Sequence, residues 1–452
     1  MFAQTSKKGA TAIVAKSSPR VNAPLGPVSS ESFLGWVRRE LQLLDSLRGV
    51  PDGRDRTRTR IPLPALLLGV LCMFWFGWPS LLSLDDQLRH SRALRRILRL
   101  AGYPDAISDD TFRDGLEALC LDGLRSVLHR LCLRSLKGWG AGRYLECRLA
   151  KLLRPIHAHP LVSRAVVAID GHFLFSTPSP KRSCADCLER VVTRRGQRVT
   201  EYYHMAVVAQ WLGTHPALVL DFEPLKPGEN ELVAVTRLIP RLAKVYGDRI
   251  GILVADAFYD NEPFRRLASA AGYRTVVVHK NDLRDPGRSA ARALERRDPN
   301  RSSPDSIHRT PRACYRLWEE SAGGRRLVEV RRSDAKGEWK TQAMTDLPAS
   351  EASSAAVGLL VEERWGIENT GFHELVGAWN LDRAYVHAGR PTAAWAFVTL
   401  ALLAYNVFQL FAYRHLKLDP MRPERSLRAL RRDLATTLSL FGLRGMARAR
   451  AP

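Results

Sequence analysis

The amino-acid sequence predicts an α/β fold: helices packed on a mixed sheet, preceded by an all-helical N-terminal domain and interrupted by a β-rich insertion. Three observations predict it. Most of residues 31–160 carries apolar side chains at helical spacing. From Arg164 onward, short β-branched runs come first in succession and then alternate with helical segments, as they do when helices cover a sheet. Between Thr310 and Thr345 short runs reverse around Gly, Asp and Ser signals, a hairpin texture unlike the sheet before it.

Residues 1–30 mix Ser, Lys, Ala, Gly and Pro without periodicity and read as a disordered basic tail. The helical domain follows over residues 31–160. Its first helix, Ser32–Leu47, places Phe33, Leu34, Val37, Leu41, Leu44 and Leu47 near helical spacing. Asp52–Arg60 is a charged linker, and Ser108 caps a run carrying Phe112, Leu116, Leu119, Leu124 and Leu128. Basic flanks suit nucleic-acid contact here, and packing against the neighbouring domain explains the same pattern.

The first part of the α/β core is expected over residues 161–290. It holds strands at Arg164–Asp170, Val199–Trp211 and Ala217–Asp221, a helix at Glu229–Tyr246, and a buried strand at Arg249–Asp256. A helix from about Asp260 to Ala271, capped by Asp260, and a strand at Arg274–Val278 complete it. Asn281–Ser306 reads as a loop into the β-rich insertion at 291–350. The second part of the core, 351–452, returns at Ala355–Val361 and turns helical at Glu362–Ala378 before the C-terminal helices.

The chain has 452 residues, a formal net charge of +23 and a pI of about 10.2, which predicts affinity for a polyanion, either nucleic acid or an anionic membrane surface. The seven Cys are odd in number and scattered, and no signal peptide is recognisable, so a reducing cytoplasmic setting is expected. Cys184-x-x-Cys187 has zinc or redox spacing, but no second pair follows at finger spacing, so it reads as two thiols in a loop. His204, His215 and His279 suggest no metal triad. Two apolar runs, Leu63–Leu84 and Ala393–Tyr405, resemble membrane spans. Pro64 and Pro79 interrupt the first and Asn406 and Gln409 follow the second, so both read as buried helices rather than a membrane anchor.

Two acids stand out chemically. Asp170 follows the apolar run VVAI and Asp256 follows ILVA, and each is succeeded by a small residue that leaves room beside it. Glu368, in ERWGIEN, is the third candidate. On a helix Arg364 lies four residues before it on the same face, where a guanidinium can neutralise a phosphate. Trp365 and Phe372 are expected to pack under that site against the sheet, with stacking on a base as the alternative. Three convergent carboxylates can hold two Mg²⁺ ions about 4 Å apart, the arrangement that assists phosphodiester cleavage. Asp221 and Glu223 also end a strand and read as structural acids, and His172 either touches substrate or is structural. Candidate DNA contacts are Lys280 and Arg284 in a basic loop, Arg325, Arg326, Arg331 and Lys340 in the insertion, and Arg383, with Arg390 a weaker one.

AIDG at 168–171, VADAFYD at 254–260 and ERWGIEN at 363–369 resemble the DDE transposases of bacterial insertion sequences, particularly the IS4-like group. The resemblance runs over about residues 60–415 and takes in Pro79-Ser80-Leu81 and Asp109–Arg113. It implies an RNase H-like core with a β-rich insertion between the second Asp and the Glu, which the 112-position gap from Asp256 to Glu368 accommodates. In the family pattern around the Glu, Arg364 and Glu368 match, whereas Val361 and Leu375 stand where the family has Tyr and Lys.

The resemblance further implies metal-dependent DNA cleavage at transposon ends and strand transfer into target DNA. Two Mg²⁺ ions, or Mn²⁺ in their place, would be held by Asp170, Asp256 and Glu368. Its partners would be double-stranded DNA, as terminal inverted repeats and target, and a second copy in a homodimer on paired ends, in the bacterial cytoplasm. Two other readings share some of these residues: an RNase H-like nuclease without strand transfer, and a domesticated DNA-binding protein whose activity has decayed.

Overall fold

The structure, a computed structural model, describes residues 28–55, 57–137, 164–212, 216–279, 287–297, 303–309, 313–418 and 426–448. The tail expected to be disordered lies almost wholly outside the described residues. Among those described, seven helices precede the first strand: α1 (Ser30–Leu41), α2 (Leu43–Arg48), α3 (Leu63–Phe76), α4 (Leu81–His90), α5 (Arg92–Arg99), α6 (Asp109–Glu117) and α7 (Leu121–Lys137). The helix expected over Ser32–Leu47 divides at Gln42, which takes a left-handed φ of 47°. Ser108 does cap α6, its hydroxyl accepting the Thr111 N–H.

Helix α3 is apolar on every side and therefore buried on every side. It ends at Gly77, whose φ of 77° suits a residue without a Cβ, and the chain then bends by 99° into α4. Its partner is α13 (Pro391–Leu410), buried from Ala393 onward, and the Trp75 indole donates to the Ala404 carbonyl at 3.2 Å. Helix α13 is long and apolar enough to cross a membrane, but its apolar window is wholly buried within the fold.

Ten strands form one mixed sheet: β1 (Ala165–Thr177), β2 (Leu188–Arg194), β3 (Gln197–Trp211), β4 (Val219–Pro224), β5 (Ile250–Ala255), β6 (Arg274–Val278), β7 (Ser306–Arg309), β8 (Ala313–Ala322), β9 (Arg325–Asp334) and β10 (Gly337–Thr345). Their order is β2-β3-β1-β5-β6-β10-β9-β8-β7, with β4 also paired to β3. The β1–β5 and β5–β6 pairs are parallel and the others antiparallel. The hairpins expected in the insertion are β7–β10, and they extend the core sheet, because β10 pairs with β6. That pairing covers an edge which would otherwise present unpaired backbone groups. Helices α8 (Glu231–Tyr246), α9 (Glu262–Ala270), α10 (Gly287–Arg296), α11 (Ser354–Gly366), α12 (His373–Gly377) and α14 (Leu427–Arg448) complete the description.

Three local readings change. Strand β1 does not end at Asp170: its parallel pairing with β5 stops at Ile169↔Ala255, while antiparallel pairing with β3 continues to Thr177↔Tyr202. Asn261, not Asp260, caps α9 by accepting the Phe264 N–H, and Asp260 instead bonds the buried His279 ring at 2.7 Å. The helix expected over Glu362–Ala378 begins at Ser354, capped by Ser353, and is interrupted by a π-helical turn at Ile367–Phe372.

The helical region and the sheet share one apolar core that runs from Val28 to Leu438. Two polar groups buried in that seam, Asn406 and Asp221, are paired, as burial favours. Asn406 on α13 accepts the Val219 N–H and donates to the Val219 carbonyl and the Cys132 sulfur. Asp221 on β4 is fully buried and faces Arg241 at 2.6 Å and, from α7, His129 at 3.1 Å. These contacts make Asp221 a structural acid.

Candidate active site

The register Ile169↔Ala255 brings the next residues, Asp170 and Asp256, side by side on neighbouring parallel strands, which lie about 4.8 Å apart. The strands form there because VVAI and ILVA are buried on both faces of the sheet. Asp256 leaves its strand immediately: its carboxylate accepts the Phe258 N–H at 2.9 Å and opens a 3₁₀ turn at Ala257–Tyr259. Glu368 sits in the π-helical turn, a distortion frequent at functional sites.

Arg364 joins the two sides. Its guanidinium donates to Glu368 Oε1 at 2.7 Å and lies 3.9 Å from Asp170 Oδ2, as the four-residue spacing predicts. The Arg364 side chain is 5% exposed, whereas that of Glu368 is 38% exposed. The arginine is therefore held in the wall and the glutamate faces outward.

A fourth acid belongs to the group and was not anticipated. Glu231, in the first turn of α8, sets its carboxylate against Gly171, where any Cβ would overlap it. The small residue after Asp170 thus makes room for a second carboxylate from this chain. The Tyr259 hydroxyl donates to Glu231 at 2.6 Å. Asn230 caps α8 by accepting the Val233 N–H, and this fixes the helix start that carries Glu231.

Three carboxylates and one arginine gather about the Asp170 carboxylate, so negative charge is in excess. Burial pushes the Asp170 carboxyl up to about 7, helped by Asp256, Glu368 and Glu231 and opposed by Arg364. Burial also raises Glu231, with Asp256 adding to the rise and the Tyr259 bond opposing it. A group of acids poised in this way fits a divalent cation, which would supply the missing positive charge.

The flanking residues divide. Phe372 is buried as expected and stacks on the His172 ring, centroids 3.9 Å apart, fastening the π turn to β1. Burial lowers His172 to about 4, so it is neutral at ordinary pH. Trp365 departs from expectation: it is exposed, and the Arg364 guanidinium lies over its ring at 4.5 Å. Val361 and Leu375 are buried apolar residues, so neither offers a polar contact in place of Tyr or Lys.

Lys280 and Arg284 lie outside the described residues. Arg326 is withdrawn as a DNA contact: it is buried, its guanidinium engaging Glu319 and the Leu347 and Ala352 carbonyls. Arg331 bonds Glu329 at 2.9 Å and covers Trp318, and Lys340 pairs with Glu329 at 3.2 Å from a half-exposed position. Arg325 lies 3.9 Å from Asp260 with little exposure. Arg383 is exposed, and Arg390 pairs with Asp114.

A sheet that gathers acids from separated segments beside one buried arginine defines a nuclease- or transposase-type enzyme. The family model described as the transposase DDE domain matches residues 164–407, more than half of the chain and all four site residues named from the sequence. The chain belongs to that family, so its function is of the transposase type, its partner is DNA, and its family generally works with divalent metals. No curated protein matches it.

Proposed function

We propose that this chain cuts DNA at the ends of a transposable element and joins the freed strand to target DNA, using Asp170, Asp256 and Glu368 as metal ligands. The observation that carries this reading is the gathering of Asp256, Glu368 and Arg364 about Asp170, whose carboxyl is pushed up to about 7. Strand order supports an RNase H-like core, since β3-β1-β5-β6 puts two parallel pairs at its centre and an antiparallel hairpin beside them. Two Mg²⁺ ions bound there, or Mn²⁺ in their place, would stabilise charge on the attacking and leaving oxygens.

The protein side chains have distinct tasks. Asp170 and Asp256 are fixed by the strands and give the site its rigid side. Glu368 is held in place by Arg364, and the same guanidinium is set to accept a phosphate as DNA enters. The Tyr259 hydroxyl donates to Glu231 and holds that carboxylate in place beside Gly171. Sequence-independent DNA affinity would come from the +23 net charge and weaken steeply with salt. Arg383, Arg325, Arg331, Lys340, Lys280 and Arg284 are the proposed contacts, joined by Arg92, Arg96 and Arg99 on the exposed face of α5. Pairing of two terminal repeats would call for a homodimer.

The test is Mg²⁺-dependent nicking of a labelled duplex carrying the element's terminal repeat, comparing the parent with Glu368→Gln. Nicking by the parent, lost in the variant while DNA binding persists, is expected. Equal cleavage by both would overturn the assignment of Glu368. Cleavage without joining to a target duplex would replace the transposase reading with a nuclease.

A further inference from the structure

We infer that Cys184, Cys187, His204 and His387 form a structural zinc site. The cysteines lie in the turn between β1 and β2, His204 is on β3, and His387 is in the segment between α12 and α13. Their ligand atoms all lie within 4.8 Å of one another. Cys184 Sγ and Cys187 Sγ are 3.8 Å apart, well beyond the roughly 2.05 Å of a disulfide. His204 Nε2 is 3.2 Å from Cys184 Sγ, 3.5 Å from Cys187 Sγ and 3.0 Å from His387 Nε2, and Cys187 Sγ is 3.0 Å from His387 Nε2.

A tetrahedron with Zn–S of about 2.3 Å and Zn–N of about 2.05 Å has edges near 3.8 Å for S–S, about 3.5 Å for S–N and about 3.3 Å for N–N. The S–S edge matches, and the four other distances above equal their ideal edges or fall short by at most about half an ångström. Two thiolates and two imidazoles favour zinc over the hard cations that carboxylates prefer. Four protein ligands close the coordination sphere, which marks a structural rather than a catalytic site.

The surroundings are built for this. The Cys184 N–H donates to Cys187 Sγ at 3.3 Å, which fixes the sulfur in the turn. Cys187, His204 and His387 are buried, and Phe175 and Trp395 pack against the imidazoles. The Gly389 N–H bonds the Ser183 carbonyl at 3.1 Å, and the Trp395 indole bonds Asp186 at 3.0 Å, so the His387 segment is tied to the cysteine turn on both sides. Zinc binding would release the two thiol protons to solvent. It would also pin the polypeptide that follows Glu368 to the turn that follows Asp170.

The experiment uses the full chain, purified in reducing buffer without chelator. About one equivalent of zinc per chain is expected by elemental analysis, retained in Asp170→Asn and lost in Cys187→Ser and His387→Asn. The parent is then stripped and titrated with Co²⁺. A near-ultraviolet thiolate-to-cobalt charge-transfer band with intense tetrahedral d–d absorption is expected, and it does not depend on whether any variant folds. Absence of that band with both thiols reduced would overturn the site, as would zinc that follows Asp170 instead of Cys187. The inference stands or falls independently of DNA cleavage, which this experiment does not measure.

Discussion

The carboxylates around Asp170 and the thiol–imidazole group around Cys187 draw on the same two stretches of chain. Strand β1 carries Asp170 and leads into the cysteine turn, while the segment with Glu368 continues to His387. The two groups are otherwise opposites. In one, four acids and one arginine gather, burial with help from the neighbouring acids lifts a carboxyl to about 7, and Glu368 faces outward. In the other, two thiols meet two imidazoles, three of four are buried, and all four positions are filled by the protein. Open, hard and strained by charge suits turnover; closed and soft suits holding the chain still. The fold has placed the holding site so that it braces both halves of the working one.

The largest expected effect that could break this division is on chemistry. Asp170→Asn should slow cleavage by about a thousandfold or more, the scale of losing metal assistance, while zinc content and DNA affinity hold. Single-turnover cleavage, metal analysis and filter binding check it, and joint loss of metal from both sites would merge them into one. Next comes stability. Cys187→Ser should lower the thermal midpoint by several degrees through loss of metal-linked folding energy, and chelation of the parent should reproduce the shift in differential scanning fluorimetry.

Arg364→Lys should slow cleavage by roughly ten- to a hundredfold, because an ammonium cannot both pair with Glu368 and present a planar fork to phosphate. Glu374 offers the smallest effect and a control. Burial pushes this acid up to about 7 from 4.5, with no cluster of acids around it and with the Gln409 amide donating at 3.0 Å. The folded state keeps a proton that the unfolded state has released, so its contribution is full below 4.5 and is lost as pH rises to about 7. Urea denaturation at about pH 4.5 and pH 8 should show a loss on the order of 1 kcal/mol per pH unit from this group within that window, so that the total loss is smaller in Glu374→Gln, where Asp170 still contributes over a similar range. Mg²⁺ should leave the Glu374 share untouched.

Much of this was legible in the chain. VVAI and ILVA are buried on both faces, so their strands could be read from β-branched runs, and the acids that follow them fall into register without further information. Arg364 and Glu368 were legible because a helical spacing of four survives into the π turn. Other features depend on contacts that spacing does not encode. Glu231 reaches the site from a helix start, and His204 and His387 meet across 183 positions. The Cys184–Cys187 turn therefore looked like two loop thiols until the fold brought imidazoles to it. Trp365 was misplaced because helical spacing tells which residues are neighbours but not which side of the π turn meets solvent.

The bond from Trp75 to the Ala404 carbonyl spans 329 positions. Helix α3 is apolar on every side, yet its partner α13 is made more than 300 residues later. At about 5–20 residues per second the helix waits on the order of tens of seconds, exposed and without its mate. Such a long sequence separation also slows folding. Biogenesis of this protein is thus expected to depend on chaperones that shelter the early helices, and truncation before α13 should yield aggregate rather than a smaller working enzyme.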